Sequence, residues 1–222
     1  MFGNPSFRKG AGDAVLILIA VGAFGVAYGV LAVDAGFSQA LTLFSSAIIV
    51  SGAAQFAMVG LLVAGPVPIF LAAVGLGLRH LPMSARLADV IGPQPLLTRI
   101  RLAFILVDET FGLTIRAFDA GVEDPVAYKT AADLMLYTGW IIGTAAGAWF
   151  GSSIDPGAAG IGVLFGLLFL GLAAPMVKIR RDWIVAGVSV VATLIATNTL
   201  PVAWQISTAA FAASLVGLAI DE

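Results

Sequence analysis

The sequence predicts an all-α polytopic integral membrane protein, a helical bundle, and three observations support this fold class. Of the 222 residues, 60% are hydrophobic and 11% are charged, whereas a soluble domain carries about 25% charged residues. The apolar residues form long continuous runs, which favour membrane helices over the alternating strands of an outer-membrane barrel. A net charge of -2 without a basic block argues against nucleic acid as a partner.

The chain is predicted to form one transmembrane domain, residues 1–222, with about six full spans and two short or re-entrant helices. The runs long enough to cross a bilayer are residues 14–33, 40–64, 131–150, 158–177, 183–200 and 203–220. Two shorter runs, 69–78 and 102–115, are expected to enter without crossing. A polar segment, 119–133, is expected to be a cytoplasmic connector. It divides the chain into halves of similar length, which suggests inverted repeats, although no residues match convincingly between the halves.

Basic residues indicate the orientation of the chain. Arg8 and Lys9 precede the first span and place the N-terminus in the cytoplasm. The basic loop at 178–181 agrees with that assignment, and the C-terminus is then also cytoplasmic. If 69–78 and 102–115 do not cross, the arginines around them also remain near the cytoplasm, as the positive-inside rule favours.

The centre of the second run is unusually polar and small. It contains Ser45, Ser46, Ser51, Gly52 and Gln55. Such residues break a membrane helix, and the freed backbone groups then need partners in protein or in a water-lined cavity. Ser51, Gly52 and Gln55 are therefore candidate substrate-binding residues. For Ser51 and Gly52, close helix packing is an equally good interpretation.

Two adjacent acids, Asp108 and Glu109, lie within an otherwise apolar run. A charge at the middle of a membrane helix costs about 2.5 to 3.5 kcal/mol, so the acids are expected to face protein, water or a ligand. Consecutive helical residues diverge by about 100°, so the two acids have different neighbours. Both are candidates for substrate binding and proton coupling. The structural alternative is an ion pair; the candidate partners are Arg79, Arg101 and Arg116.

Three further features have a functional and a structural interpretation. His80, the single histidine, is a candidate proton relay or an ordinary interfacial polar residue. Asn198, near the end of a predicted span, is a candidate substrate-binding residue or part of a helix end. Glycines recur at every fourth position across 139–151, and Gly25 and Gly29 repeat likewise, which predicts close packing of helix backbones.

Enzyme chemistry is not indicated by the sequence. It shows no Ser/His/Asp set at usable spacing, no Cys/His metal cluster and no phosphate-binding glycine loop. No cofactor and no metal is expected. The sequence leaves three classes of function: a secondary transporter, a structural or scaffold membrane subunit of a transport complex, and a channel for small polar solutes.

Three segments resemble motifs of the AzlC-like family of branched-chain amino acid permeases. They read SGAAQF at 51–56, LGLRHLPM at 76–83 and DETFGL at 108–113. Members of that family typically read GASQF, then N-L-R-H-x-L-Y, then DE-T-F. The chain departs from the pattern at Gly77, where the family usually has Asn, and at Met83, where it has Tyr. These departures bear on specificity or activity if that Asn touches substrate.

The resemblance implies an inner-membrane exporter of branched-chain amino acids that works with a small AzlD-like membrane subunit. Other expected partners are the lipid bilayer and, as a further possibility, copies of the same chain. An α-amino acid carries a cation and an anion fixed together, so its site needs both polarities and an apolar pocket. Amides near Ser51, Gly52 and Gln55 are expected to hold the carboxylate. Asp108 or Glu109 is expected to hold the ammonium or to carry the coupled proton.

Overall fold

The structure is a computed structural model that describes residues 3–151, 177–200 and 202–220. Its helices are α1 Pro5–Asp13, α2 Val15–Asp34, α3 Gln39–Ile48, α4 Gly52–Gly60, α5 Pro66–Gly77, α6 His80–Ile91, α7 Leu96–Phe104, α8 Asp108–Asp119, α9 Pro125–Phe150, α10 Arg180–Thr199 and α11 Val202–Ala219, with a 3-10 turn at Leu62–Ala64. The described residues contain no β-strand, and the predicted all-α class is confirmed. The predicted span 158–177 lies almost entirely outside these residues.

The chain divides into two compact units. The first consists of Met1–Gln55 and Gly77–Asp155, and the second of Phe56–Leu76 and Pro156–Glu222. In the first unit, α9 is the longest helix and packs against α1, α2, α3, α6 and α8. In the second unit, α10 packs against α11. The long helix α9 is therefore the central support of the first unit.

Glycines bring the backbones of α2 and α9 into direct contact. A Cβ atom on Gly25 would lie 2.6 Å from the carbonyl oxygen of Trp140. A Cβ on Gly143 would collide with the carbonyl oxygen of Gly22. Small residues at such crossings let helix backbones approach closely. The close packing predicted from the glycine spacing is confirmed.

The starts of α1 and α9 are capped jointly. The Asn4 side-chain oxygen accepts from the backbone N–H of Ser6 at 2.8 Å, and the Asn4 amide donates to the Asp124 carboxylate at 2.9 Å. The same carboxylate accepts from the backbone N–H of Ala127 at 2.9 Å. An acceptor of this kind satisfies N–H groups that a helix start leaves open. The cap at Asp124 starts α9 inside the expected connector 119–133, which is therefore shorter than predicted.

Two of the predicted apolar runs are interrupted. Residues 49–51 separate α3 from α4 and divide the run 40–64, where the small and polar residues predict a break. Residues 105–107 separate α7 from α8 and divide the run 102–115, which the sequence presents as one short element. The interruption at 105–107 is not predicted, because these residues include no glycine, proline or small hydroxyl residue that would break a helix.

Within the part of the chain that the structure describes, three helical stretches are long and apolar enough to cross a membrane by length and composition. They are Val15–Asp34, Pro66–Ile91 and Arg180–Thr199. The stretch Pro66–Ile91 contains α5 and α6 with a turn between them. The number of spans and the re-entrant path of 69–78 stay predictions.

Candidate functional site

The first interruption, 49–51, leads into α4. At its end, the Ser51 hydroxyl accepts from the backbone N–H of Ala54 at 3.4 Å, and Gly52 begins the helix. On the other side, the Tyr137 hydroxyl donates to the carbonyl oxygen of Ala47 at 3.0 Å. A side chain of α9 thus satisfies a carbonyl group near the end of α3, where a helix leaves its last acceptors open.

Gln55 lies one turn into α4 and is fully buried, with 0% of its surface exposed. Its amide nitrogen lies 3.1 Å from the Ser46 hydroxyl and 3.5 Å from the Ser45 hydroxyl. Its side-chain oxygen has no hydrogen-bond partner within the described part of the chain. Leaving a buried acceptor unsatisfied costs about 1 to 3 kcal/mol, so this oxygen is a strong candidate to accept a hydrogen bond from a bound donor.

A chain of buried hydroxyl groups holds the Gln55 amide. The Ser45 hydroxyl donates to the Thr42 carbonyl at 2.7 Å, and the Tyr28 hydroxyl lies 2.6 Å from Ser45. Because the single proton of Ser45 goes to Thr42, Tyr28 is the donor to Ser45. The Ser46 hydroxyl lies 3.0 Å from that of Thr144 on α9. The surroundings of the amide nitrogen are thus polar and uncharged.

Trp140 adds an aromatic wall beside the same interruption. Its ring stacks against Tyr28, with centroids 5.9 Å apart and planes 22° apart. A Cβ atom on Gly52 would lie 3.0 Å from the Trp140 ring. Glycine at position 52 therefore lets the start of α4 lie directly against an aromatic surface.

The second interruption, 105–107, leads into α8, whose first residues are Asp108 and Glu109. Acidic side chains are favourable at this end of a helix because the open N–H groups carry partial positive charge. The Arg79 guanidinium lies 2.6 Å from the Asp108 carboxylate, with side chains 41% and 50% exposed. Glu109 is half-buried. The two predicted acids therefore lie at the start of a helix, and one of them pairs with a predicted arginine.

A buried ion pair that sequence reasoning missed supports this interruption. The Lys129 ammonium lies 2.7 and 2.8 Å from the two Asp133 oxygens and donates to the Ile105 carbonyl at 3.1 Å. The two side chains are 0% and 5% exposed. All three N–H groups of the lysine thus have acceptors. The spacing of four residues between Lys129 and Asp133 was the available signal, because such residues face each other on a helix.

The other predicted polar residues of the first unit make separate contacts. A ring nitrogen of His80 lies 2.9 Å from the Gly77 carbonyl oxygen. The Arg101 guanidinium donates to the Thr130 hydroxyl at 3.1 Å. Arg116 donates to a carbonyl group of its own helix at 3.3 Å. Of the three arginines predicted as partners of the acids, Arg79 is the one whose ion pair with them is seen in the described residues.

Asn198 lies in the second compact unit, near the end of α10. Its amide donates to the Leu194 carbonyl of the same helix at 2.7 Å, and the residue is exposed. The amide therefore has an acceptor inside its own helix. A role for Asn198 in substrate binding stays a prediction.

The two interruptions share one support. Tyr137 donates to a carbonyl group beside the first, and Lys129 donates to a carbonyl group of the second. These two side chains are eight residues apart on α9, a rise of about 12 Å along the helix. In the first unit, α3 and α8, one segment of each interrupted run, thus pack against one continuous helix. Discontinuous helices of this kind occur in secondary transporters.

Comparison with known proteins identifies the family. The model of the AzlC protein family matches residues 16–154, which include both interruptions and α9. The chain belongs to the AzlC family. The resemblance found in the motifs at 51–56, 76–83 and 108–113 is confirmed, since all three segments lie inside the match.

Two relatives of this AzlC-family chain describe its class further. A protein of Archaeoglobus fulgidus named as an uncharacterized membrane protein is 31% identical over 158 residues, covering 68% of this chain and 65% of that protein. The chain therefore matches just under two thirds of that relative's length. The inner membrane protein YgaZ of Escherichia coli is 28% identical over 177 residues, covering 76% of this chain and 72% of YgaZ. No solved structure matches the chain. The protein is a helical membrane protein of the AzlC family, and both membership and architecture are consistent with a permease.

Proposed function

We propose that this AzlC-family chain is a secondary transporter that exports branched-chain amino acids across the cytoplasmic membrane, coupled to protons. The observation that carries the proposal is the half-buried helix interruption at 49–51, beside which the fully buried Gln55 holds a side-chain oxygen without a partner among the described residues. Discontinuous helices in transporters bring polar groups to membrane depth at the substrate site. A polar, uncharged and fully buried environment beside a broken helix suits a small solute better than a structural role alone.

The proposed site provides contacts for each part of the amino acid. The open N–H groups at the start of α4, near Ser51 and Gly52, suit a carboxylate. Trp140 and the apolar residues of the neighbouring helices suit an aliphatic side chain. Asp108 and Glu109 are the proposed proton-coupling residues, with Arg79 as the ion-pair partner of Asp108 and His80 as a further candidate. These contacts describe binding and translocation, and we propose no enzymatic step.

The proposal includes a partner and an orientation. A small AzlD-like membrane subunit is the proposed partner, with a homo-oligomer as a further assembly to test. The N- and C-termini are proposed to lie in the cytoplasm, because Arg8, Lys9 and the basic loop at 178–181 flank predicted spans.

Transport by purified protein tests the proposal. The chain, alone and with its small subunit, is reconstituted in liposomes, and the flux of labelled leucine and valine is followed with and without a proton gradient. We expect saturable, gradient-driven flux. Unsaturable flux that ignores the gradient would indicate a channel. Flux absent from every combination would leave a scaffold subunit as the function.

Amide variants test the acids separately. Asp108→Asn and Glu109→Gln should each lower gradient-driven accumulation, and the variant of the coupling residue should lose it while retaining exchange of leucine for leucine. Asp119→Asn is the matched control, since Asp119 is an exposed acid at the other end of the same helix. If both amide variants accumulate leucine as the wild type does, these acids do not couple transport to protons.

A further inference from the structure

We infer that the side-chain oxygen of Gln55 binds the ammonium group of the transported amino acid, an inference that rests on the proposed transport function. Gln55 is fully buried, and its side-chain oxygen lacks a partner among the described residues, while its amide nitrogen contacts two hydroxyl groups. The nitrogen end of the amide is therefore held by the two hydroxyl groups, and the oxygen end remains able to bind a ligand. A carbonyl oxygen accepts hydrogen bonds, so the missing partner is a donor.

The contact with Ser45 favours one orientation of the amide, whereas the Ser46 hydroxyl can donate or accept and suits either orientation. The proton of Ser45 is used by the Thr42 carbonyl, so Ser45 accepts from its neighbours and cannot donate to Gln55. Turning the amide over would direct the oxygen of Gln55 toward Ser45, which has no proton left for it. It would also leave two N–H groups at the open position in place of one oxygen. Assignment of amide orientation from the hydrogen-bond network therefore favours the buried oxygen as the acceptor that remains for a ligand.

An ammonium group meets this requirement and a carboxylate does not. A carboxylate brings only acceptors to an acceptor, whereas an ammonium group brings three donors. The groups around the Gln55 amide nitrogen, which are the hydroxyls of Ser45 and Ser46 and their partners Tyr28 and Thr144, carry no charge. A cation bound at the Gln55 oxygen thus meets no positive charge in this network that would repel it. Hydrogen bonds from charged donors are also stronger than those from neutral donors.

Within the proposed site, the carboxylate, the ammonium group and the coupled proton are then met by different residues. Gln55 lies one helical turn after the first N–H groups of α4, which suit the carboxylate. The two charged groups of an α-amino acid are attached to the same carbon, so both ends of the substrate are met by one turn of α4. Asp108 and Glu109 are then not needed for the ammonium and remain available for the proton.

Competition between analogues tests this assignment. Uptake of labelled leucine is inhibited with 3-methylbutylamine, which is leucine without its carboxylate, and with 4-methylpentanoate, which is leucine without its amino group. We expect the ratio of amine to acid competition to fall at least about tenfold from the wild type to Gln55→Leu, the effect of one charge-assisted hydrogen bond. Competition by the acid should change little, because its proposed partners are the N–H groups of α4. Thr193→Val, whose exposed hydroxyl lies outside this network, should keep the wild-type ratio.

A second measurement does not depend on transport. The rise in melting temperature of the purified protein is recorded with each analogue. We expect the amine to stabilise the wild type and to lose that effect in Gln55→Leu, whereas a water molecule at this oxygen would leave the two proteins alike. If the wild type transports leucine but Gln55→Leu keeps the wild-type ratio of amine to acid competition, the inference is overturned and the transport function stands. If the wild type moves no leucine but binds the amine through Gln55, the ammonium site stands and the transport function falls.

Discussion

The two helix interruptions of the first unit differ in how their polar groups are satisfied. At 49–51, α9 contributes the Tyr137 and Thr144 hydroxyls, the surrounding groups are neutral, and one buried oxygen of Gln55 has no partner within the described residues. At 105–107, α9 contributes Lys129, which is charged and whose three N–H groups are all used. The buried Thr110 hydroxyl near the start of α8 also has no hydrogen-bond partner within the described residues. The two interruptions therefore differ in the charge of their support, which is a set of neutral hydroxyls at the first and a buried ion pair at the second.

The buried ion pair indicates that the interruption at 105–107 has a structural role. A buried ion pair adds little net stability, because removing two charges from water offsets their attraction, but losing one partner leaves an unpaired buried charge. The Lys129–Asp133 pair is therefore best explained as a fixed clamp on the backbone at Ile105. That clamp sets where α8 begins, and hence where Asp108 and Glu109 lie.

The largest expected effect follows from breaking this pair. Lys129→Met leaves Asp133 buried without its cation, and we expect a loss of about 3 to 5 kcal/mol in the free energy of unfolding. Thermal unfolding in detergent measures it. The double variant Lys129→Met with Asp133→Asn removes both charges and should recover most of the loss. Equal losses in the single and double variants would show that the pair is not the clamp.

A smaller effect is expected at the neutral interruption. Thr144→Val removes one buried hydrogen bond with Ser46, which is worth about 0.5 to 1.5 kcal/mol. Thr193→Val is the matched control, because that hydroxyl is exposed and donates only to its own helix. The control should change the melting temperature very little. If Thr144→Val costs as much as Lys129→Met, the contrast between the two interruptions is wrong.

The smallest effect concerns Asp13, an exposed carboxylate at the end of α1 that accepts a hydrogen bond from Tyr128 of α9. Hydrogen bonds from Lys9 and then from Tyr128 of α9 lower the pKa of Asp13, against a smaller opposing effect of burial. A lowered pKa contributes stability above the ordinary value of about 3.9 and loses it as the pH falls through the lowered value. The Asp13 side chain is 39% exposed, so solvent limits the contribution to less than about 1 kcal/mol.

Comparison across pH measures this contribution. Asp13→Asn should melt slightly below the wild type at neutral pH, and the difference should vanish in acid. A difference that grows as the pH falls would contradict a lowered pKa for Asp13. Together the three variants rank a buried charged contact, a buried neutral contact and an exposed charged contact, all of which involve side chains of α9.

The sequence predicts part of this arrangement, and the reason lies in which signals are local. Gly52 and the serines near it mark the first interruption directly, and the spacing of the glycines predicts the contact of α2 with α9. The second interruption falls in Ile105, Leu106 and Val107, which carry no breaker. It is defined by the contact with Lys129, a residue more than twenty positions later. Burial of that lysine depends on tertiary packing, so a polar connector was the natural prediction for its segment.

The sequence also does not show which end of the Gln55 amide lacks a partner. The residue is identifiable as a polar side chain that needs a partner. Which end of its amide is held depends on the hydrogen bonds that Tyr28 donates to Ser45 and that Ser45 donates to the Thr42 carbonyl. Tyr28 lies on α2, whereas Ser45 and Thr42 lie on α3.

The glycine crossing has a mechanical consequence. The backbones of α2 and α9 touch without intervening side chains, as the contact of Gly143 with the Gly22 carbonyl shows. Sliding one helix along the other by even a fraction of a turn would therefore drive its carbonyl groups into the facing helix. Helices α2 and α9 therefore behave as one rigid pair. Any motion that opens the first unit must come from the interrupted helices moving relative to that pair. A crosslink between α2 and α9 should leave such motion unimpeded.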